Sequence, residues 1–358
     1  MSEQRSRFAV VGAGNAGQAI AGDLMARGHR VVALYDKFED VIDPIRERGG
    51  VELVGPVASG FYPVHATTQI QDGISEADVV IVVVPATAHA AVARDVARVA
   101  HAKQTVVVCP GYVGGALLFR RELHAGGLQA LPMLAETTTM PFSSRLVGPG
   151  QVGIKGIKRV LHLAALPSSD TAEAVERLRP AFRPALIAAA NVWEAGLNNP
   201  NPITHVPLTV MNWGQIEDRT FEKHFDYHTW ITPGVARVSE ALDQERVAVM
   251  RALGLTPVSH EAFHAMSYDA PWHIVEAKGA LPASSWTIPP RFVDEDVPCG
   301  LIPISSLGAL LGVATPMTNA LIRICSLMRN RDYWSEGRTD AALAIGGLAK
   351  EDLLRLVH

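Results

Sequence analysis

The chain has 358 residues, 48% of them hydrophobic and 19% charged, with 32 Lys+Arg against 36 Asp+Glu for a net charge of −4. At roughly 150 residues per domain this length predicts two domains. The composition excludes wholesale disorder, and the absence of a basic excess excludes a nucleic-acid partner. Three widely spaced cysteines, Cys109, Cys299 and Cys325, form no disulfide framework or CxxC pair and fit a reducing compartment. The polar start MSEQRSR lacks a signal-peptide pattern. The longest apolar stretch, Leu301 to Met317, is cut by Pro303, Gly308, Gly312 and Pro316. The expectation is a cytoplasmic protein without a membrane span.

The first half alternates strand and helix signals. Phe8 to Val11 is a short apolar run ending in glycines, and Ala16 to Arg27 has helical spacing stopped by Gly28. Arg30 to Tyr35, Asp78 to Val84 and Thr105 to Cys109 are further apolar runs, with a helix expected over Ala88 to Ala100. Continuous Val/Ile runs mark strands covered on both faces, hence a doubly wound, Rossmann-type α/β parallel sheet. Val152 to Leu166 reads as late strands and Thr171 to Leu178 as a helix. Beyond about residue 186 the Val runs vanish. Ser239 to Leu253, Pro303 to Met328 and Asp340 to Val357 fit helices. The predicted division is a dinucleotide-binding domain over 1–185 and a mostly α-helical substrate domain over 186–358, whose apolar helices suggest a homodimer.

After the first strand comes Gly12-Ala13-Gly14-Asn15-Ala16-Gly17, followed by a helix. This is GxGxxG in the setting it requires. Gly12 makes the turn, Gly14 lets a pyrophosphate approach the backbone, and Gly17 lets the helix pack closely. The helix start at Asn15 and Ala16 offers amides and a positive dipole end to phosphates. Asp36, at the end of the second strand, lies roughly 20 residues further on, the spacing of a ribose-binding acid. A carboxylate there repels a 2′-phosphate, so NAD(H) is favoured. Lys37 beside it keeps NADP(H) as the second option. Pro85, where the next strand ends, and its following backbone are assigned to the nicotinamide side. His89 beyond it, Cys109 and His29 read as structural.

In the second half His205 sits in a rigid polar corner, Asn198 to Pro207, with three Asn and three Pro. Imidazole exchanges protons near neutral pH, which hydride-transfer chemistry needs. The stretch Arg291 to Pro303 puts one Arg and three acids in an apolar, Pro-rich setting. Arg binds carboxylates bidentately, and an acid beside a His fixes its tautomer. His260-Glu261-Ala262-Phe263-His264 is a formal HExxH, but without a third ligand downstream it is not read as a zinc site. Trp272 and Trp286 flank the Arg291 stretch and are candidates for lining a side-chain pocket.

Together, the Gly loop, the NPxxH corner at 201–205 and the RFxxEDVPxGLIP stretch at 291–303 resemble the opine dehydrogenase family (octopine/nopaline dehydrogenase-like). Residues 136–145, Glu136 to Arg145, are similar to that family's ETxTxPYxxR block, with Phe142 where Tyr is usual. Gly337-Arg338-Thr339 and Gly346-Gly347-Leu348 also fit. The resemblance implies reductive condensation of an amino acid with a 2-oxo acid at the expense of a nicotinamide. It implies His205 as general acid/base paired with Asp296, and Arg291, Asn201, Glu136 and Thr139 as substrate-binding. The rival expectations are a ketopantoate- or 2-hydroxyacid-type reductase, which needs no amine, and a non-catalytic dinucleotide sensor.

Overall fold

The structure is a computed structural model that describes residues 6–217, 230–268 and 290–358. Trp272 and Trp286 therefore lie outside the described residues. The chain divides into two compact units. One comprises residues 1–111 with 115–192, the other 112–114 with 193–358.

The first unit runs β1 (Arg7–Val11), α1 (Asn15–Ala26), β2 (Arg30–Tyr35), α2 (Glu39–Arg48), β3 (Gly50–Val54), β4 (Gly60–Pro63), β5 (Ala66–Thr67), β6 (Val79–Val82), α3 (His89–Ala97), β7 (Thr105–Val108), α4 (Gly115–Ala125), β8 (Met133–Thr137), β9 (Phe142–Gly148), β10 (Gln151–Ile157), β11 (Val160–Leu166), α5 (Thr171–Leu178) and β12 (Ala185–Ala188). Eight strands form one sheet in the order β12-β11-β8-β7-β6-β1-β2-β5. The doubly wound Rossmann-type arrangement is present, and the β-branched runs at β1, β6 and β7 are its buried centre. The sheet departs from all-parallel at one pair, where β11 runs antiparallel to β8. The strand order reverses at β1: the chain goes outward through β2, then crosses to β6 on the other side. That reversal places the β1 and β6 loops together at the carboxyl ends of their strands, where open α/β sheets bind ligands.

A second sheet, β4-β3-β10-β9, was not expected from the sequence. Its central pairing, β10 on β3, is parallel and joins residues about 100 apart, such as Gln151 with Glu52. The late-strand reading of 152–166 thus splits: β10 joins this small sheet and β11 the large one. Helix α1 packs against both sheets. A Cβ on its Gly22 would come within 2.7 Å of Leu53 in β3. The unit's division from the second falls after 192, beyond residue 185, because β12 pairs in parallel with β11 and completes the large sheet.

The second unit comprises α6 (Val192–Leu197), α7 (Asn201–Met211), α8 (Trp213–Glu217), α9 (Pro233–Leu253), α10 (His260–Tyr268), α11 (Arg291–Asp294), α12 (Ile302–Leu310), α13 (Pro316–Arg329), α14 (Tyr333–Glu336) and α15 (Lys350–Arg355). Its core joins Ile203 and Val206 of α7, Leu242 of α9, Ile302 of α12 and Ile322 of α13. Two expected helices are corrected. Residues 303–328 are α12 and α13 with a turn between them, because Gly312 sits at φ +68° and Pro316 starts the next helix. Residues 340–357 are helical only over Lys350–Arg355. Before it, Ala344 and Gly347 have positive φ, which no helix continues.

Candidate active site

In the nucleotide loop each glycine has its own reason. Gly12, at φ +107°, would put a Cβ 2.2 Å from the Val83 carbonyl oxygen, so the turn admits no side chain. A Cβ on Gly17 would lie 1.7 Å from the carbonyl oxygen of Gly12. The closure is thus between helix and loop more than between helix and strand. Gly14 differs from both. Its backbone is extended (φ −71°, ψ −166°), and a Cβ there meets nothing within 4 Å. The protein leaves that space open, which is what an approaching pyrophosphate requires.

Helix α1 starts directly behind Gly14 with no side-chain cap and no acid in its first turn, so its dipole end is not neutralised. Asn15 does not turn its side chain to a ligand: its Oδ1 accepts the Leu146 amide at 2.7 Å and ties β9 to the loop. Its contribution to a phosphate site is therefore its backbone amide, as for the partly buried Ala16 beside it. Asp36 closes the far side. Its carboxylate accepts the Ala13 amide at 2.9 Å and the Phe38 amide at 3.2 Å, which fixes it against the loop at the end of β2. Lys37 lies over the exposed Phe38 ring, 4.7 Å from its centroid. Pro85 is exposed, just beyond β6. These residues fit a dinucleotide: open space, amides and a ribose-matching carboxylate converge at the topological switch. Nearby, Cys109 is buried, which pushes its thiol up to about 12, and the buried His89 stands edge-on to Phe119.

The second unit carries the imidazole. Asn199 accepts the Asn201 amide at 3.0 Å and, with Pro200 and Pro202, sets the start of α7. His205 follows one turn later. Opposite, residues 297–301 form a single π-helical turn, and a Cβ on Gly300 would sit 2.3 Å from the Pro202 side chain. This close approach brings Asp296, 1% exposed, to His205: Nδ1 to Oδ2 is 2.7 Å. The Phe292 ring stacks on the imidazole, centroids 3.7 Å apart and planes within 2°.

The three acids of 294–296 go to three different partners. Asp294 pairs with Arg329 at 2.8 Å and accepts the Tyr333 hydroxyl, bonds that hold its carboxyl below the usual range against the opposing effect of burial. Glu295 meets Arg291 at a loose 3.7 Å. Asp296 takes His205. Arg291 is half exposed, with its guanidinium 5.6 Å from the Phe292 ring. Phe292 thus has both the imidazole of His205 and the guanidinium of Arg291 near its ring.

Three residues expected to bind substrate have other contacts. Glu136 is fully buried in β8 and accepts the Ala116 amide at the start of α4, at 2.7 Å; a Cβ on Gly111 would collide with its carboxylate. Thr139 is 1% exposed and accepts from Lys158 Nζ at 2.8 Å. These are contacts within the first unit. Asn201 begins α7, its amide donating to Asn199 Oδ1. Phe142 packs in the first unit's core, where a hydroxyl is not required.

Two features of the site have contacts that the sequence reading did not assign. One is Tyr112, whose hydroxyl donates to Asp296 Oδ1 at 2.9 Å. The other is His260, whose Nε2 is bonded to the Thr204 hydroxyl, while its amide donates to Asp243 at 3.0 Å. Burial, with Arg246 and His205 nearby, lowers the His260 pKa to about 3, so it is a neutral structural group. Its partner in HExxH, His264, stacks edge-on against it at 4.8 Å. No group of three metal-ligand side chains occurs among the described residues.

A dinucleotide loop on one unit and a carboxylate-held imidazole on the other define a nicotinamide-dependent oxidoreductase. Comparison with known proteins narrows the class. Residues 188–329 match the family described as NAD/NADP octopine/nopaline dehydrogenase, alpha-helical domain, and residues 7–110 match NADP oxidoreductase, coenzyme F420-dependent. An opine dehydrogenase of Arthrobacter sp. (strain 1C) is 34% identical, over 95% of this chain and 96% of the relative. The solved structure of octopine dehydrogenase with NADH and L-arginine superposes with a TM-score of 0.76 at 19% identity, covering 98% of each chain. Yersinopine dehydrogenase with NADP+ gives 0.71 at 16%, over 98% and 99% of the two chains. The chain belongs to the opine dehydrogenase family, NAD(P)-dependent oxidoreductases acting on CH–NH donors.

Proposed function

We propose that this enzyme condenses the amine of an amino acid with a 2-oxo acid and reduces the resulting imine to a secondary amine dicarboxylate, and that it runs the reverse oxidation. The observation that carries the reading is the His205–Asp296 pair at 2.7 Å, in a chain of this family. Gly14, the amides of Asn15 and Ala16, and Asp36 would hold the dinucleotide, with Pro85 on the nicotinamide side. When bound, it supplies the hydride. Asp36 makes NAD(H) the favoured form, through repulsion of a 2′-phosphate.

The remaining steps fall to the chain's own groups. Asp296 holds Nδ1, so proton exchange with substrate runs through Nε2 of His205. As an acid, the imidazolium protonates the departing hydroxyl of the carbinolamine, which leaves as water to give the imine. In the reverse direction the neutral imidazole is the base and takes the extra proton of the protonated secondary amine. Buried Asp296 stabilises the imidazolium meanwhile. Arg291, half exposed and only loosely held by Glu295, is the side chain we assign to the oxo-acid carboxylate. The imine product of amine and oxo acid is the substrate for reduction, so both must be present for turnover.

The test is nicotinamide oxidation with pyruvate, run with and without a pool of L-amino acids. An amine-dependent rate is expected, with turnover lost by orders of magnitude in His205→Ala while NADH still binds. An equal rate on the oxo acid alone would move the enzyme to the hydroxyacid class; binding without turnover would make it a sensor. No described helix is long and apolar enough to cross a membrane. We also propose a cytoplasmic enzyme, on its three buried free thiols, and a homodimer through the helical unit, where Leu327 and Ile324 of α13 are exposed. A monomer in sedimentation equilibrium would refute the dimer.

A further inference from the structure

We infer that Tyr112 is a positioning residue of the acid/base pair: its hydroxyl fixes the Asp296 carboxylate and, through it, sets the orientation and proton affinity of His205. The inference rests on the reading of His205 and Asp296 given above.

The geometry is a chain of hydrogen bonds within the second unit. The Tyr112 hydroxyl donates to Asp296 Oδ1 at 2.9 Å, and Asp296 Oδ2 holds His205 Nδ1 at 2.7 Å. A carboxylate turns readily about its last torsion, whose preference is broad. With a fixed donor on each oxygen the turn is blocked. Without Tyr112, Oδ1 of a carboxylate 1% exposed loses a donor in a place with little access to water.

The fold holds Tyr112 in place at a conformational cost. Its φ is +61°, a left-handed conformation that bulky side chains rarely adopt and that persists where surrounding structure enforces it. The enforcement is visible. A Cβ on Gly196 would come within 2.6 Å of the Tyr112 carbonyl oxygen, and Arg338 donates to the Val113 carbonyl at 3.0 Å. Residues 112–114 accordingly belong to the helical unit although their neighbours in sequence belong to the other. Burial and the carboxylates of Asp296 and Glu295 push the Tyr112 hydroxyl well above its ordinary pKa, so it stays a donor throughout the working range.

The expected effect has a sign. Among the described residues, Asp296 bonds His205 directly, His260 of α10 lies near it, and the charges that face Tyr112 are those of Asp296, Glu295 and Arg291. Removing the Tyr112 donor leaves the buried negative charge of Asp296 less stabilised, which favours the protonated imidazole. In Tyr112→Phe the His205 titration rises by about one unit, followed by NMR of the imidazole signal that His205→Ala deletes. Turnover falls roughly 10- to 100-fold, NADH affinity is unchanged, and Tm stays within a few degrees. Replacing Tyr112 by 3-fluorotyrosine, a stronger donor of similar size, moves the titration downward. Loss of packing cannot produce that opposite shift. Titrations that stay at the unmodified position in both variants, in an enzyme that His205→Ala inactivates, overturn the inference alone. Normal turnover in His205→Ala overturns the reading beneath it.

Discussion

Gly14→Ala separates a glycine kept for the fold from one kept for a ligand. At Gly14 the backbone is extended, and an added Cβ meets nothing within 4 Å. Nothing in the folded protein therefore opposes the methyl group. By restricting the unfolded chain, alanine stabilises such a position by about 0.4–1 kcal/mol. A pyrophosphate on the backbone of Gly14 would meet the methyl. Overpacking of one methyl group costs about 1–3 kcal/mol, a loss of roughly 5- to 150-fold in affinity. The expected result is an unchanged or slightly raised Tm together with a Kd for NADH, from nicotinamide fluorescence, weakened within that range. Gly17→Ala is the contrast: with its Cβ 1.7 Å from the Gly12 carbonyl oxygen, both stability and binding fall. Unaltered NADH affinity in a folded Gly14→Ala protein would refute the assignment of this loop to the phosphates.

Other outcomes follow from the same geometry. Asp296→Asn keeps the shape but removes the charge on Nδ1, so kcat falls about 10²- to 10⁴-fold with NADH affinity retained; steady-state kinetics decide. Asp36→Asn keeps an acceptor for the Ala13 amide and removes the charge, so the ratio of kcat/KM for NADPH over NADH rises about 10-fold or more, and a constant ratio would dissociate Asp36 from cofactor choice. His260 is held neutral, with its pKa lowered from 6.5 to about 3. Its folded value lies below the unfolded one, so its contribution is complete above about pH 6.5 and is lost as pH falls toward 3. His260→Gln retains a partner for Thr204 and does not titrate. Denaturant titrations should show the unmodified protein losing roughly 2–3 kcal/mol more than this variant between about pH 7 and about pH 4.5.

What the sequence determined by itself is what local chemistry dictates. Gly12 and Gly17 are required by the turn in which they stand, the β-branched runs at β1, β6 and β7 by burial on both faces, and Asp36 by its place at the end of the adjacent strand. The family's motifs singled out His205 and Asp296 because their surroundings, rigid proline corners and an acid in an apolar stretch, are unusual along the chain. Tertiary structure alone decided the rest. Tyr112 and Asp296 are separated by 184 positions, and no pattern near either announces their bond. The three adjacent acids of 294–296 are equivalent in sequence, yet each faces a different element and so takes a different cation or imidazole. Glu136 and Thr139 stand three positions apart in one motif, yet one accepts from the start of α4 and the other from Lys158, partners that no local pattern names. Even the small sheet depends on β10 finding β3 across the intervening chain. The physical reason is common to all four. A backbone turn or a buried strand is fixed by neighbours in sequence, whereas the partner of a polar side chain is fixed by whichever element the packing of the core brings against it.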